Sequence, residues 1–354
     1  MKLLQKLSEA FGGSGYEGEV ADIVAAELAP LCDRVSRDPL GNVIGLKRAR
    51  KGRAARAGRA AKASRGARRR VMLAAHMDEI GFVVSHIEDK GFLRVQPAGG
   101  FDPRTLLAQR VTVLGKGRRK LTGLLNLAGR PIHMQSAEER KKDLEIANFF
   151  VDLGMAPAEV RKQVEVGDRV IWQRGFTRMG DCVTGKALDN RVGVYVMIEA
   201  LRKLERSPYD IYAVGTVQEE VGLRGAATSA FAIEPEIAIA LDVTLAVDIP
   251  DGEAHSQVTE LGKGIALKIM DSASISDAGL VREFRALAEE RKIPHQLEIL
   301  PRGGTDAGRM QMARGGARVI TLSIPLRYVH SVNETAHQAD IQAGIDLLAA
   351  WLAR

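Results

Sequence analysis

The sequence predicts an α/β protein, an α/β/α sandwich into which a smaller β-rich domain is inserted. Three observations carry this. From about residue 178 onward, apolar strand-like runs alternate with helical stripes, the pattern that places helices on both faces of a sheet. Between about 80 and 177 the texture changes to short alternating runs punctuated by glycine, which reads as a small β-rich unit. The length of 354 residues accommodates about two such units. The expected division is 1–79 with 178–354 for the sandwich and 80–177 for the insertion.

The elements follow in order. The first thirty residues read as helical, with Val20, Ile23, Val24 and Leu28 on one face. Asp38 to Leu46 reads as a turn and a strand, and Val71–Ala75 as an apolar strand ending at His76. Within the insertion, strands are expected around Gly81–Ser85, Gly91–Val95, Gln109–Leu114 and Asp168–Trp172. One helix is expected after the capping-box spacing Ser136–Glu139, carrying Leu144, Ala147 and Val151. Asn190 to Arg206 reads as a helix with Val194, Met197, Ile198, Leu201 and Leu204 inward. Tyr212–Val217, Glu236–Leu241 and Arg318–Ile324 read as buried strands. Ser276 is the expected cap of a helix with Leu280, Phe284 and Leu287 inward, and Ile341, Ile345, Leu348 and Leu352 stripe a final helix.

Composition excludes several classes. Apolar runs are too short for a bilayer span, and the N-terminus turns polar before a signal-peptide core could form. Cys32 and Cys182 make no paired framework, which fits a reducing cytoplasm. The net charge of +7 belongs to one segment. Residues 47–70 hold twelve Lys/Arg and no acid, leaving 39 basic and 44 acidic residues, or −5, elsewhere. This low-complexity stretch is expected to be a hairpin tip extended into a loop within the sandwich.

The chemistry lies where polar residues interrupt apolar strands. His76 and Asp78 follow one strand, Glu219 and Glu220 a second, and Asp242 a third. His330 follows a fourth, and Asp189 stands just before a helix. In open α/β sheets the carboxyl ends of strands are where ligands bind. Singly, each has an ordinary explanation: a Glu–Glu pair is usually a solvated face, and Asp189 suits a helix N-cap. His86, His133, His255, His295 and His337 have no comparable setting and read as structural. The convergence of five segments is what points to a site. Two imidazoles with carboxylates suit zinc, cobalt or manganese better than calcium or magnesium. Asp189, Glu220 and Asp242 would offset most of the charge of two divalent ions. That leaves Glu219 as a general base, with Asp78 placed to hold the second ring nitrogen of His76.

Six motifs, in order, carry a family resemblance: Ala75-His-Met-Asp-Glu-Ile-Gly81, Lys186-Ala-Leu-Asp-Asn-Arg191, Gln218-Glu-Glu-Val-Gly222, Leu241-Asp-Val-Thr244, Gly304-Thr-Asp-Ala307 and Arg327-Tyr-Val-His-Ser331. The chain resembles the M42 metallopeptidases, tetrahedral di-metal aminopeptidases. The resemblance implies a sandwich of the zinc-peptidase type with a barrel-like dimerisation domain, and six dimers building a dodecamer. It implies peptide substrates and two divalent ions per subunit. Asp189 would bridge the ions, His76 and Asp242 would complete one, and Glu220 and His330 the other. Glu219 would be the base, and Asp78 would orient His76.

Two other readings compete. A glycosidase using Glu219 and Glu220 fails on spacing, because adjacent residues rarely hold carboxyls about 5–9 Å apart across a sugar. A nucleic-acid or acidic-surface binder would use residues 47–70. With no aromatic residue there to stack on bases, such binding is expected to be weak and non-specific.

Overall fold

A computed structural model of the chain describes residues 1–50, 69–141, 143–250 and 254–354. Two helices open it, α1 (Lys2–Glu9) and α2 (Gly18–Leu28), followed by strands β1 (Arg34–Arg37), β2 (Val43–Lys47) and β3 (Arg70–His76). The insertion contributes β4 (Gly81–Ile87), β5 (Leu93–Ala98), β6 (Gln109–Gly115), β7 (Arg119–Leu127), β8 (Phe149–Asp152), α3 (Pro157–Gln163) and β9 (Arg169–Trp172). The chain returns through β10 (Thr177–Met179) and β11 (Cys182–Gly185) to α4 (Leu188–Lys203), β12 (Asp210–Thr216), α5 (Arg224–Ile233) and β13 (Ile237–Leu245). It ends with β14 (Ile265–Met270), α6 (Ala278–Arg291), β15 (His295–Ile299), α7 (Ala307–Gln311), β16 (Arg318–Arg327), β17 (Glu334–His337) and α8 (Gln338–Leu352).

The main sheet has eleven strands, ordered β1-β2-β12-β3-β13-β16-β17-β11-β10, with β14 on β16 and β15 beyond β14. Its centre, β12-β3-β13-β16, is parallel. A parallel strand buried on both faces needs an unbroken apolar run, which Val71-Met-Leu-Ala-Ala75 supplies. Alternate side chains serve opposite faces. Val71, Leu73 and Ala75 join the core with α2, α4 and α8, while Met72 and Ala74 join that with α5 and α7. Helices on both faces of a mixed sheet are the predicted class. The second sheet closes as a six-stranded barrel, β4-β5-β8-β7-β6-β9, around Phe82, Val111, Phe149 and Trp172. No helix among the described residues is long and apolar enough to cross a membrane.

Several elements differ from expectation. The helix expected after Ser136 is absent among the described residues. Short 3₁₀ turns occupy 139–141 and 146–148, and Val151 lies in β8. Closing the barrel requires Phe149–Asp152 to pair with both β5 and β7, and that pairing overrides the local helical stripe. The helix in this region is α3 instead, which starts at Pro157. Asp277, not Ser276, caps α6, its carboxylate accepting from Leu280 N at 2.9 Å. Strands β2 and β3 do not form a hairpin, because β12 lies between them and pairs with each. The described ends of the expected loop at 47–70 flank the start of β12. Ala49 N donates to Asp210 Oδ1 at 2.8 Å and Asp210 N to Arg69 O at 3.1 Å. Residues 51–68 of that segment lie outside the described residues.

Phe284 on α6 is fully buried and stacks on Trp351 of α8, with ring centroids 5.1 Å apart and 13° between planes. Trp351 stacks in turn on Tyr209 at 5.4 Å. Phe284→Ala is expected to destabilise the fold by about 3–5 kcal/mol through lost contacts and a cavity, read as a lower urea midpoint.

Candidate functional site

The sheet's carboxyl edge brings the predicted residues together. His76 ends β3, and Glu219 and Glu220 follow β12. Asp189 stands at the start of α4, after Ala187 in a left-handed conformation at φ 54°, and the Asp189–Asn190 peptide is cis. Its side chain faces two histidines and does not cap the helix. Asp242 does not end its strand, since β13 runs on to Leu245 against β16. Its pairing with β3 stops at Ala240, so that flank of β13 opens where Asp242 stands. His330 comes from the β16–β17 loop at φ 60°.

His76 Nδ1 donates to the backbone carbonyl of Asp78 at 3.2 Å and lies 3.4 Å from its Oδ1. Nε2 therefore faces the site, 3.2 Å from Asp189 Oδ1 and 3.9 Å from both Glu219 Oε2 and Asp242 Oδ1. The other oxygen of Asp189 lies 3.4 Å from His330 Nε2, which is 3.5 Å from Glu220 Oε2. Two overlapping donor groups result, His76–Glu219–Asp242 and His76–Asp189–Glu220, with all donor atoms of each within 4.8 Å. Most of these separations exceed hydrogen-bond length. They lie near the edge of about 3.4 Å spanned by two ligands at roughly 2.1 Å from a tetrahedral ion. The donor set therefore fits divalent cations.

Electrostatics point the same way. Burial, with neighbouring negative charge, raises the carboxyls of Glu219 and Asp242 well above the ordinary range and brings Glu220 to about 7. Burial opposes charge on the imidazoles, yet the facing carboxylates hold His76 well above its usual value and lift His330 to about 10. Asp189 is buried too, but the two imidazoles facing its oxygens keep it well below the carboxylate range. Crowded carboxylates and imidazoles that favour protonation mark a site built to receive positive charge.

Three features were not foreseen. Buried Glu334 accepts from Asp189 N at 2.9 Å and from His330 N at 3.0 Å, fixing two of the site's backbone segments. Its only sequence signal is a carboxylate four residues past His330. Asp306, in the Gly304–Ala307 motif, is buried with Oδ2 accepting from the Thr216 hydroxyl at 2.5 Å, and burial lifts it to about 6. Glu79 forms a buried ion-paired cluster with Lys186 at 2.8 Å and Arg191 at 3.3 Å. Glu79, Lys186 and Arg191 all lie inside motifs whose other members drew attention. Asp78 is better held than sequence implied, accepting from Ser14 Oγ at 2.7 Å, Glu219 N at 2.9 Å and Glu220 N at 3.2 Å. Among the histidines read as structural, His337 accepts from Ala339 N at the start of α8, and His295 Nδ1 lies 3.1 Å from the Ile293 carbonyl.

Residues 58–347 match the family model described as M42 glutamyl aminopeptidase. The chain belongs to the M42 peptidase family. The lysyl aminopeptidase of Pyrococcus furiosus is 38% identical, over 99% of this chain and 96% of that protein. An aminopeptidase structure from Desulfurococcus kamchatkensis superposes with a TM-score of 0.91 at 38% identity, covering 100% of this chain and 94% of the other. The Pyrococcus horikoshii TET1 peptidase, described as assembling into a tetrahedron or a large octahedral shell, gives 0.84 at 28% identity, covering 100% and 99%.

Glu334→Gln tests the support beneath the site. An amide offers one acceptor where two backbone donors converge, so one N–H would meet an NH₂ group. The variant is expected to release divalent ions to a chelator at about tenfold lower concentration, a typical effect for groups that hold ligands in place. Its circular dichroism should remain that of the parent.

Proposed function

We propose that this M42 family member is a co-catalytic di-metal aminopeptidase that removes N-terminal residues from peptides. One observation carries the reading: the two oxygens of Asp189 face different imidazoles, at 3.2 Å and 3.4 Å. That is the disposition a carboxylate shared between two ions requires. His76 and Asp242 would complete one position, and Glu220 and His330 the other. Zinc or cobalt are the expected ions, with manganese next. Bound there, such ions supply Lewis acidity toward a carbonyl and bring water's pKa toward neutrality.

The remaining steps belong to side chains. Glu219 takes a proton from the attacking water and returns it to the departing amine. A buried carboxyl held above its ordinary range suits that exchange near neutral pH. Asp78 is the positioning residue. It fixes the ring of His76 through its backbone carbonyl and the Glu219–Glu220 turn through its carboxylate. The catalytic unit is 1–79 with 178–354, and the barrel-bearing segment 80–177 is the dimerisation domain. The tetrahedral assembly named for the P. horikoshii relative supports a closed particle, which we read as six dimers in a dodecamer. The family model is named for glutamyl substrates and the P. furiosus relative for lysyl ones. Names therefore leave the residue preference to the cavity.

Glu219 also belongs to a donor group with His76 and Asp242, so its role as base rather than ligand needs a direct test. Glu219→Gln keeps the shape and removes the basicity. It should retain two ions per chain by elemental analysis while kcat falls roughly 10²–10⁴-fold and KM changes little. Glu220→Gln should lose an ion, with activity partly restored by excess metal. Metal loss in the first variant and retention in the second would exchange the two roles.

A second outcome follows from connectivity. Residues 50 and 69 flank the start of β12 and β3, at the opposite end of those strands from His76. Replacing 51–68 with a Gly/Ser linker is expected to leave kcat/KM on a peptide substrate within about threefold, since no site residue is carried there.

A further inference from the structure

We propose that Arg302 makes this enzyme prefer substrates whose N-terminal residue has an acidic side chain; the inference rests on the aminopeptidase reading above. A cavity of about 510 Å³ opens beside the site. Beyond the site cluster its wall is mainly apolar, with Leu223, Val243, Leu245 and Leu300, and Arg302 is the one other charged residue lining it. Among the described residues the Arg302 guanidinium has no ion-pair or hydrogen-bond partner, and the residue is exposed. A cation already engaged would not be free to read a substrate; this one is.

The backbone that carries it is fixed. Leu300 N donates to Met270 O at 3.0 Å and Ser272 N to Gly303 O at 3.1 Å, which ties the 300–304 turn to the 270–274 turn. Asp271 holds the second turn by accepting from Ala273 N at 2.9 Å and Ser274 N at 2.7 Å. Gly303 takes φ +100°, and a Cβ on Gly304 would come within 2.8 Å of that of Ala273, so the turns meet closely. Arg302 thus projects from an anchored strand end, with only its side chain to order on binding.

The buried carboxylates nearby, Glu298 and Asp271, share one cation, Lys268, the latter at 3.6 Å. Behind the wall residue Thr244, Glu298 is fully buried. It accepts from the Thr244 hydroxyl at 2.6 Å and pairs with Lys268 Nζ at 2.6 Å. It has no exposure through which to reach a substrate. The site carboxylates are committed to cations on the reading above, which leaves Arg302 as the charge a side chain entering the cavity would meet. A planar guanidinium pairs with a carboxylate through two parallel hydrogen bonds, and neither a leucyl nor a lysyl side chain can reciprocate.

The test compares glutamyl-, leucyl- and lysyl-p-nitroanilide on the full-length enzyme supplied with zinc or cobalt, for the parent, Arg302→Gln and Arg302→Glu. The parent is expected to show a higher kcat/KM for glutamyl than for lysyl substrate. In Arg302→Gln the glutamyl-to-leucyl ratio should fall about tenfold or more, the scale of a charge-assisted hydrogen bond at a partly solvated site. Arg302→Glu should reverse the order of glutamyl and lysyl. A parent that prefers lysyl substrate, or a ratio unmoved in both variants, overturns the role of Arg302 while the aminopeptidase reading stands. An enzyme that, with its ions bound, cleaves none of the three overturns both.

Discussion

Seven buried or nearly buried carboxylates gather at one edge of one sheet: Asp78, Asp189, Glu219, Glu220, Asp242, Asp306 and Glu334. Much of the surrounding architecture answers that concentration of charge. Burying an unpaired carboxylate costs several kcal/mol unless protons, donors or cations compensate. Five of the seven are driven upward by burial, and only Asp78 and Asp189 are driven down. The difference has a local cause. Asp78 collects a hydroxyl, two backbone N–H groups and the edge of an imidazole, and Asp189 lies between two imidazoles. Glu334 and Asp306 also accept donors, two backbone N–H groups and the Thr216 hydroxyl, yet burial still raises them. Glu219, Glu220 and Asp242 face imidazoles and one another across longer gaps, and they are the ones that divalent cations would compensate on the proposed reading.

Compensation extends outward from there. Glu79 follows Asp78 directly, and its charge is balanced by Lys186 and Arg191. Those cations also bond the carbonyls of Leu7, Ala10 and Gly12. One buried cluster therefore joins the end of α1, the exit from β3 into the barrel, and the entry to α4 where Asp189 stands. The barrel leaves and rejoins the sandwich within this cluster's reach, so the insertion is braced against the site. Its loop at Gly100 lines the site cavity. A second cavity of about 620 Å³ shares Gly100, Val329 and His330 with it and is lined also by Phe101 and Tyr328.

These two levels explain what the sequence made legible. Strands β3, β12, β13 and β16 stand out because a parallel strand covered on both faces must be apolar throughout, and a polar residue at its end is then conspicuous. His76, Glu219, Glu220 and His330 are visible for that reason, and Asp242 by its interruption of a run. Glu334 and Asp306 are not, because their importance lies in the Asp189 N–H and the Thr216 hydroxyl that they meet across 145 and 90 residues of chain. That information exists only after folding. The same limit accounts for the misread helix after Ser136, where barrel closure outweighed a local stripe, and for the hairpin expected between β2 and β3. Adjacency in sequence favours pairing, but a third apolar strand, β12, needed both edges.

The distribution of charge bears on selectivity in a way that the net value of +7 conceals. The described flanks of the basic segment, Arg48, Arg50, Arg69 and Arg70, sit at the start of β3 and β12. His76 closes β3 six residues beyond Arg70, a rise of roughly 20 Å along an extended strand. At physiological ionic strength the screening length is about 8 Å, so these exposed or half-exposed arginines act weakly at the catalytic edge. Arg69 and Arg70 are further offset by Glu236 and Glu234, at 4.0 Å and 3.5 Å. Discrimination among substrate side chains must then come from charges within a few ångströms of the cavity. If cations match the site carboxylates, as proposed, the local balance there would be set by Arg302 on its anchored turn rather than by the basic segment that dominates the composition.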